Sequence, residues 1–147
     1  MARRPSPIIV ERVADAPAVP LPHKATRGSA CFDLYAAEPV VLRRGRVTLV
    51  RTGLKLRAPV RTFLEVRPRS GLSTKGVVMV NAPGTIDRDY AGEVRVPFTY
   101  LFAGPFRIRQ FDRIAQVRVV PDVPARMVTG SVRPTGNRRG GFGSTGR

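Results

Sequence analysis

Apolar and polar positions alternate most cleanly over Val94-Arg95-Val96-Pro97-Phe98-Thr99-Tyr100, where Val94, Val96, Phe98 and Tyr100 fall on one side at period two. This is the repeat of a half-buried strand, because successive side chains of an extended chain leave opposite faces. Pro97 has no N–H to give to a ladder, so the pattern predicts a strand at a sheet edge or a bulge. Shorter apolar runs recur at Val47 to Val50, Leu54 to Leu56, Phe63 to Val66, Val77 to Val80, Phe106 to Ile108 and Ile114 to Val120. Runs about ten residues apart are the pattern of an antiparallel sandwich or barrel. Fourteen glycines and fourteen prolines spread along the chain leave no long window for an amphipathic helix, and only Ser70 to Lys75 predicts a short one. The expected fold is all-β.

Composition adds bounds to that picture. A chain of 147 residues with 42% apolar content supports one domain, residues 1–147, around a modest core. Residues 1–24 read as an N-terminal extension with a first strand, and 133–147, rich in Gly, Arg, Ser and Thr, as a flexible C-terminal arm. The single cysteine, Cys31, rules out a disulfide within the chain and a cysteine zinc cluster. At the start, Met1-Ala2-Arg3-Arg4-Pro5 has the basic character of an export signal, but Ile8-Ile9-Val10 is cut short by Glu11 and Arg12. No stretch approaches the roughly 18 apolar residues of a membrane span. The expectation is a soluble protein of the cytoplasm, or of a host's nucleus or cytoplasm if a virus encodes it.

Charge changes the picture less than its size suggests. A formal net charge of +16 comes from 26 basic residues against 10 acidic ones, and only Lys24, Lys55 and Lys75 of the basic set are lysine. Guanidinium forks suit phosphate oxygens, so the surplus could serve a nucleotide or a nucleic acid; it could equally be a solvated basic surface. The ten Phe and Tyr residues form no basic run interleaved with aromatics, which leaves stacking platforms for nucleic acid sparse along the sequence. The lone histidine, His23, reads as a surface or turn residue.

Five segments carry candidate chemistry. Ala25 to Ala37 sets Asp33 among apolar neighbours that look like a strand, and a buried charge needs a partner or an ion. Arg67-Pro68-Arg69-Ser70-Gly71-Leu72-Ser73 brings Arg69 and Ser70 to the start of a short helix, which favours an anion, although a proline turn with a serine cap gives the same string. Asn81-Ala82-Pro83-Gly84-Thr85-Ile86-Asp87-Arg88-Asp89-Tyr90-Ala91-Gly92-Glu93 reads as a tight hairpin whose backbone could read a base edge and whose carboxylates could take a proton from water. Phe111 to Gln116 leads into an apolar strand with Gln116 as its polar exception. The tail Gly140-Gly141-Phe142-Gly143-Ser144-Thr145-Gly146 combines unobstructed N–H groups, two hydroxyls and a ring that could stack on a base.

Together, in this order and nearly this wording, the segments resemble the five motifs of trimeric dUTPases, and they span Ala25 to Gly146. The resemblance implies a jelly-roll-like antiparallel β-barrel or sandwich with one short helix, a homotrimer whose active sites are shared between subunits, and hydrolysis of dUTP to dUMP and pyrophosphate. It implies Mg²⁺ carried on the three phosphates with its waters held by Asp33, and Asp87 as the base for the attacking water. Arg69, Ser70, Gly71 and Gln116 match positions at the phosphates. Asn81, with Gly84, Thr85 and Ile86, matches the surface that reads uracil, and Tyr90 the residue under deoxyribose that leaves no room for a 2′-hydroxyl. In the tail, Phe142 would stack on the base while Gly143, Ser144 and Thr145 reach the terminal phosphates. Asn137 stands where the family usually has arginine, so Arg138 is assigned that role. Cys31 takes a position that is commonly glycine and reads as a buried thiol, and Ser70 to Asn81 is one residue shorter than the common spacing. A related trimeric deaminase acting on dCTP would need a general acid/base suited to attack at C4, and no glutamate beyond Glu93 offers itself. Neither nucleic acid nor a membrane is required as a partner.

Overall fold

The computed structural model describes residues 6–133, and these form eleven strands and one short helix. The two longest strands, β6 (Thr62–Pro68) and β11 (Arg113–Pro121), pair antiparallel at the middle of a four-stranded sheet. β2 (Phe32–Tyr35) and β8 (Gly84–Ile86) flank them in the order β2-β11-β6-β8. A second sheet runs β4-β9-β7, from β4 (Thr48–Arg51), β9 (Arg95–Tyr100) and β7 (Val77–Met79). Two ribbons complete the set: β1 (Ile9–Arg12) with β5 (Leu54–Arg57), and β3 (Val40–Leu42) with β10 (Phe106–Ile108). The architecture is all-β, and the sheets do not close into a barrel.

Period two decides what is buried. Leu64 and Val66 of β6, Ile86 of β8, Val96 and Phe98 of β9, Val50 of β4 and Val77 and Met79 of β7 all turn into one apolar cluster shared by the two larger sheets. Phe98 is the largest fully buried side chain. On β11 the alternation breaks, since Ile114 and Ala115 are both buried. A register shift against β2 between Arg113 and Ala115 explains it: an extra residue in one strand turns the following side chains over. Beyond the shift, Gln116 lies opposite Asp33 of β2 on one side and Arg67 of β6 on the other. The irregularity thus decides which polar groups share a face.

Each predicted apolar run is a strand or most of one. Pro97, however, is not at an edge or a bulge: β9 is the middle strand of its sheet, and Pro97 lies opposite Leu49 of β4. The carbonyl of Pro97 accepts the Val80 N–H at 2.9 Å, so its missing N–H also faces β7. β7 ends at Met79, opposite Phe98, and past it only the Val80 N–H reaches the Pro97 carbonyl, so the return bond that proline cannot donate falls beyond the end of the strand. The segment from Asn81 to Glu93 is also not a tight hairpin. β7 and β9 pair with each other, while β8 between them crosses to the other sheet and pairs with β6. Burial of Ile86 opposite Leu64 holds that crossing in place. β3 and β8 have only three residues each, too few for a period to be read. Among the described residues, no helix is long and apolar enough to cross a membrane.

Candidate active site

The candidate residues gather around two cavities. The first, about 280 Å³, is lined by Asp33, Arg69, Ser70, Gly71 and Gln116, together with Cys31 and residues of the preceding loop. The second, about 170 Å³, is lined by Asn81, Gly84, Thr85, Ile86, Asp87 and Tyr90, with Glu93 and Arg95 at its side. No lining residue is common to the two. The first lies toward β2 and β11 and the second toward β8, on opposite flanks of the four-stranded sheet. Arg138, Phe142, Gly143, Ser144 and Thr145, with the flexible-arm expectation, lie outside the described residues.

Asp33 is buried to 7% exposure on β2. Its charge is answered by two guanidinium groups: Arg69 Nε at 3.2 Å from Oδ1 and Arg113 Nη1 at 3.4 Å from Oδ2. Arg69 is steadied in turn, donating from Nη1 to the Arg113 carbonyl at 3.1 Å. Gln116 donates from Nε2 to the Pro68 carbonyl at 2.9 Å, which ties β11 to the turn before the helix. That helix, α1 (Ser70–Ser73), has Arg69 rather than Ser70 at its N-cap and no side-chain cap. The Ser70 side chain is therefore not used as a cap. Cys31 is half-buried rather than a fully buried thiol.

His23 covers the other end of β2. Its carbonyl accepts the Asp33 N–H at 2.9 Å, its Nδ1 lies 3.1 Å from the Tyr35 hydroxyl, and the two rings stack with centroids 6.0 Å apart. Burial, and then the nearby Asp33 charge, push the Tyr35 hydroxyl above its ordinary value. A phenol whose folded value is raised holds its proton longer than in the unfolded chain. Its contribution to stability is complete below the unfolded value, about 10, and is lost as pH rises through the folded value. Stability should fall with pH in that alkaline window, and Tyr35→Phe should flatten the fall in urea unfolding measured from pH 9 upward.

Among the described residues, no three His, Cys, Asp or Glu side chains cluster as a metal site would require. The first cavity instead offers one hard oxygen donor, Asp33, beside cations. That set fits an ion that arrives on a polyphosphate and keeps its waters, because such an ion asks the protein for few direct ligands.

The second cavity is built on backbone. Tyr90 donates its N–H to the Asp87 carbonyl at 3.2 Å and its hydroxyl to the Glu93 carbonyl at 3.0 Å, so the ring closes the loop on itself. Gly92 gives the ring room, since a Cβ there would displace the Tyr90 side chain. The Asp87 side chain is exposed toward the cavity mouth. Glu93, singled out in the sequence only as a possible deaminase acid, has a structural post. Its side chain is 6% exposed and accepts from Arg51 Nε at 3.0 and 3.1 Å, the Gly53 N–H at 2.9 Å and Arg95 Nε at 3.0 Å. Arg51 also holds Asp15 at 2.9 Å, and that hydrogen bond is the main cause keeping the Asp15 carboxyl below its usual range. Glu93→Ala should cost about 3 kcal/mol, the lower end for breaking a buried pair because Arg51 and Arg95 both reach solvent, read as a lowered urea midpoint.

Comparison with known proteins agrees with this geometry. The family model described as dUTPase matches residues 18–146. The deoxyuridine 5'-triphosphate nucleotidohydrolase of Anaeromyxobacter sp. (strain Fw109-5) is 46% identical, over 97% of this chain and 99% of that protein. That of Beijerinckia indica subsp. indica is 44% identical, over 97% and 93%. Among solved structures, a Staphylococcus bacteriophage 80alpha dUTPase with dUpNHpp superposes with a TM-score of 0.80 at 22% identity, covering 95% of this chain and 98% of that one. The dUTPase from Streptococcus mutans does so with 0.75 at 26%, covering 80% and 98%. A jelly-roll-like β architecture, a cationic cavity on one flank of the sheet with a backbone-lined one on the other, and full-length kinship therefore place this chain in the dUTPase family, as an enzyme that hydrolyses deoxyuridine triphosphate.

Proposed function

We propose that the chain works as a homotrimer in which the base cavity of one subunit faces the phosphate cavity of another, and that Asp87 activates water for attack on the α-phosphorus of dUTP. The observation that supports this most is the division of the site. One flank of the sheet carries Asp33, Arg69, Ser70, Gly71 and Gln116; the other carries Asn81, Gly84, Thr85, Ile86, Asp87 and Tyr90. Neither half alone meets both ends of a nucleotide, and a second copy supplies the missing half. Residues after β11 favour association as well: Val123, Met127, Val128 and Val132 stand exposed in a stretch without secondary structure. Apolar side chains lined up in water are stabilised by burial against another chain.

In this reading, Arg69 and the Ser70 hydroxyl align the triphosphate, Gln116 steadies the turn that holds them, and Tyr90 excludes a ribose. Asn81 and its neighbouring backbone bind the uracil edge. Arg138, Phe142, Gly143, Ser144 and Thr145 close over base and phosphates and exclude water other than the nucleophile. Magnesium, when bound, would neutralise charge on the phosphates, and Asp33 would hold it through its waters. The structural Mg(II) ion named for a phage phi11 dUTPase is a precedent for a metal in such folds. Removal of dUTP would limit uracil in DNA, and the dUMP formed would supply the precursor of dTMP, within a single cytoplasmic domain.

Deamination of dCTP is disfavoured because Glu93 is saturated by Arg51, Arg95 and the Gly53 N–H. Pyrophosphate release from dUTP, with and without Mg²⁺ and alongside sedimentation, tests the proposal. The expected result is a trimer whose release depends on the metal. A stable monomer, or release unchanged by removal of Mg²⁺, would overturn it.

A further inference from the structure

Next to the phosphate cavity, where Lys75, Phe106, Arg107 and Arg109 share a hollow with Arg69, Gly71 and Asp112, three stretches of chain free of carboxylates meet. There is no Asp or Glu between Glu38 and Glu65, between Glu65 and Asp87, or between Glu93 and Asp112. The fold brings parts of all three together. β3 pairs with β10 so that Arg107 lies opposite Val41, Arg44 bridges to Tyr100, and the Leu101 N–H donates to the Gly76 carbonyl at 3.0 Å. Arg43, Arg44, Arg46, Lys75, Arg107 and Arg109 stand exposed around this junction, and among the described residues none makes an ion pair. Elsewhere on the described surface, Lys55, Arg67, Arg95 and Arg118 all have carboxylate partners. Other exposed cations, among them Lys24, Arg57, Arg61 and Arg88, also lack carboxylate partners among the described residues, so what marks this junction is not its charge alone but the aromatic rings beside it.

Aromatic rings occupy the middle of the same junction. Tyr100 meets Phe102 edge-on with centroids 5.8 Å apart and Phe106 at 5.4 Å. Phe102 is 55% exposed, yet its position is held from beneath: Gly76, at φ +84°, approaches the ring so closely that a Cβ would lie 2.6 Å from it. A supported ring with a solvent-facing surface, ringed by unpaired cations, combines the two things a single strand offers, phosphates and unstacked bases. A duplex hides its base faces, and an acidic peptide offers charge without a series of stackable bases.

We propose that this face, centred on Phe102 and bordered by Arg44 and Arg107, binds single-stranded nucleic acid. Binding is separate from dUTP hydrolysis and is not needed for it. In the sequence the cations and rings are not interleaved; pairing of β3 with β10 and the bridge to β9 brings them together.

The test uses the full chain and a fluorescein-labelled mixed-sequence DNA strand of about 20 nucleotides, longer than the roughly 4–16 nucleotides that a single-strand-binding OB fold covers. Anisotropy is followed over a salt series. The wild type should bind the strand more tightly than its duplex. Each phosphate contact to a single strand contributes about 0.7 to the slope of log affinity against log salt, so R44Q/R107Q should reduce that slope by about 1.4. Phe102→Leu keeps the bulk over Gly76 and removes the flat face; it should weaken binding about tenfold with the slope unchanged. Heparin, which has charge but no bases, should respond to the arginine variant and not to Phe102→Leu. Both variants should keep the wild-type unfolding midpoint and rate of dUTP hydrolysis. Absent binding at low salt, equal affinity for duplex, or indifference to either variant would each overturn the proposal.

Discussion

Asp87→Asn is expected to lower kcat for dUTP by about 10²–10⁴-fold, the range that general-base assistance contributes. The substitution keeps the size and shape of the side chain and leaves the Tyr90 N–H on the carbonyl of residue 87, so the loop should hold its form. Basicity is what is lost. Because the side chain is exposed and makes no hydrogen bond within the described chain, no packing effect should hide the result. A matched comparison of kcat, KM and the urea midpoint checks it: kcat should fall alone. A variant that retains kcat within about twofold would remove Asp87 from the role of base, since even the weakest general base contributes far more.

Selectivity for the base should be nearly as large an effect. Uracil and cytosine present opposite donor and acceptor patterns at the edge that Asn81 and the backbone of residues 84–86 would meet. The backbone here is held by strand pairing, with Gly84 opposite Val66. A polar edge held in this way cannot rotate to suit the wrong base, so cytosine leaves buried groups unpaired. Sites of this kind discriminate by about 10⁴ or more, and kcat/KM for dUTP should exceed that for dCTP accordingly. Asn81→Ala should narrow the ratio chiefly by weakening dUTP. Ammonia release from dCTP, or a ratio near unity, would point to a different chemistry at the second cavity.

Much of the site was legible because its residues are close in sequence. Asn81 to Tyr90 line one cavity as a single stretch, and Arg69, Ser70 and Gly71 another. The role of Glu93 was not legible, since its partners Arg51 and Gly53 lie some forty residues away and only strand pairing brings them near. Nor were the two guanidinium partners of Asp33, which arrive from β11 and from the end of β6. The edge position expected for Pro97 failed for a related reason. A strand's own pattern says that a donor is missing, but the neighbour's length decides whether a donor is needed there.

By itself, then, the order of residues determined the all-β class and most strands, and it marked out the candidate segments, because alternation and turn-forming residues act over a few neighbours. Tertiary structure decided which segments share a cavity, which charges are neutralised and which are left facing water. Those outcomes depend on long-range register, and one irregularity, the shift between Arg113 and Ala115, is enough to set Gln116 opposite Asp33. Local sequence carries no signal for it, since the turn of a side chain to one face or the other is settled by the strand it meets.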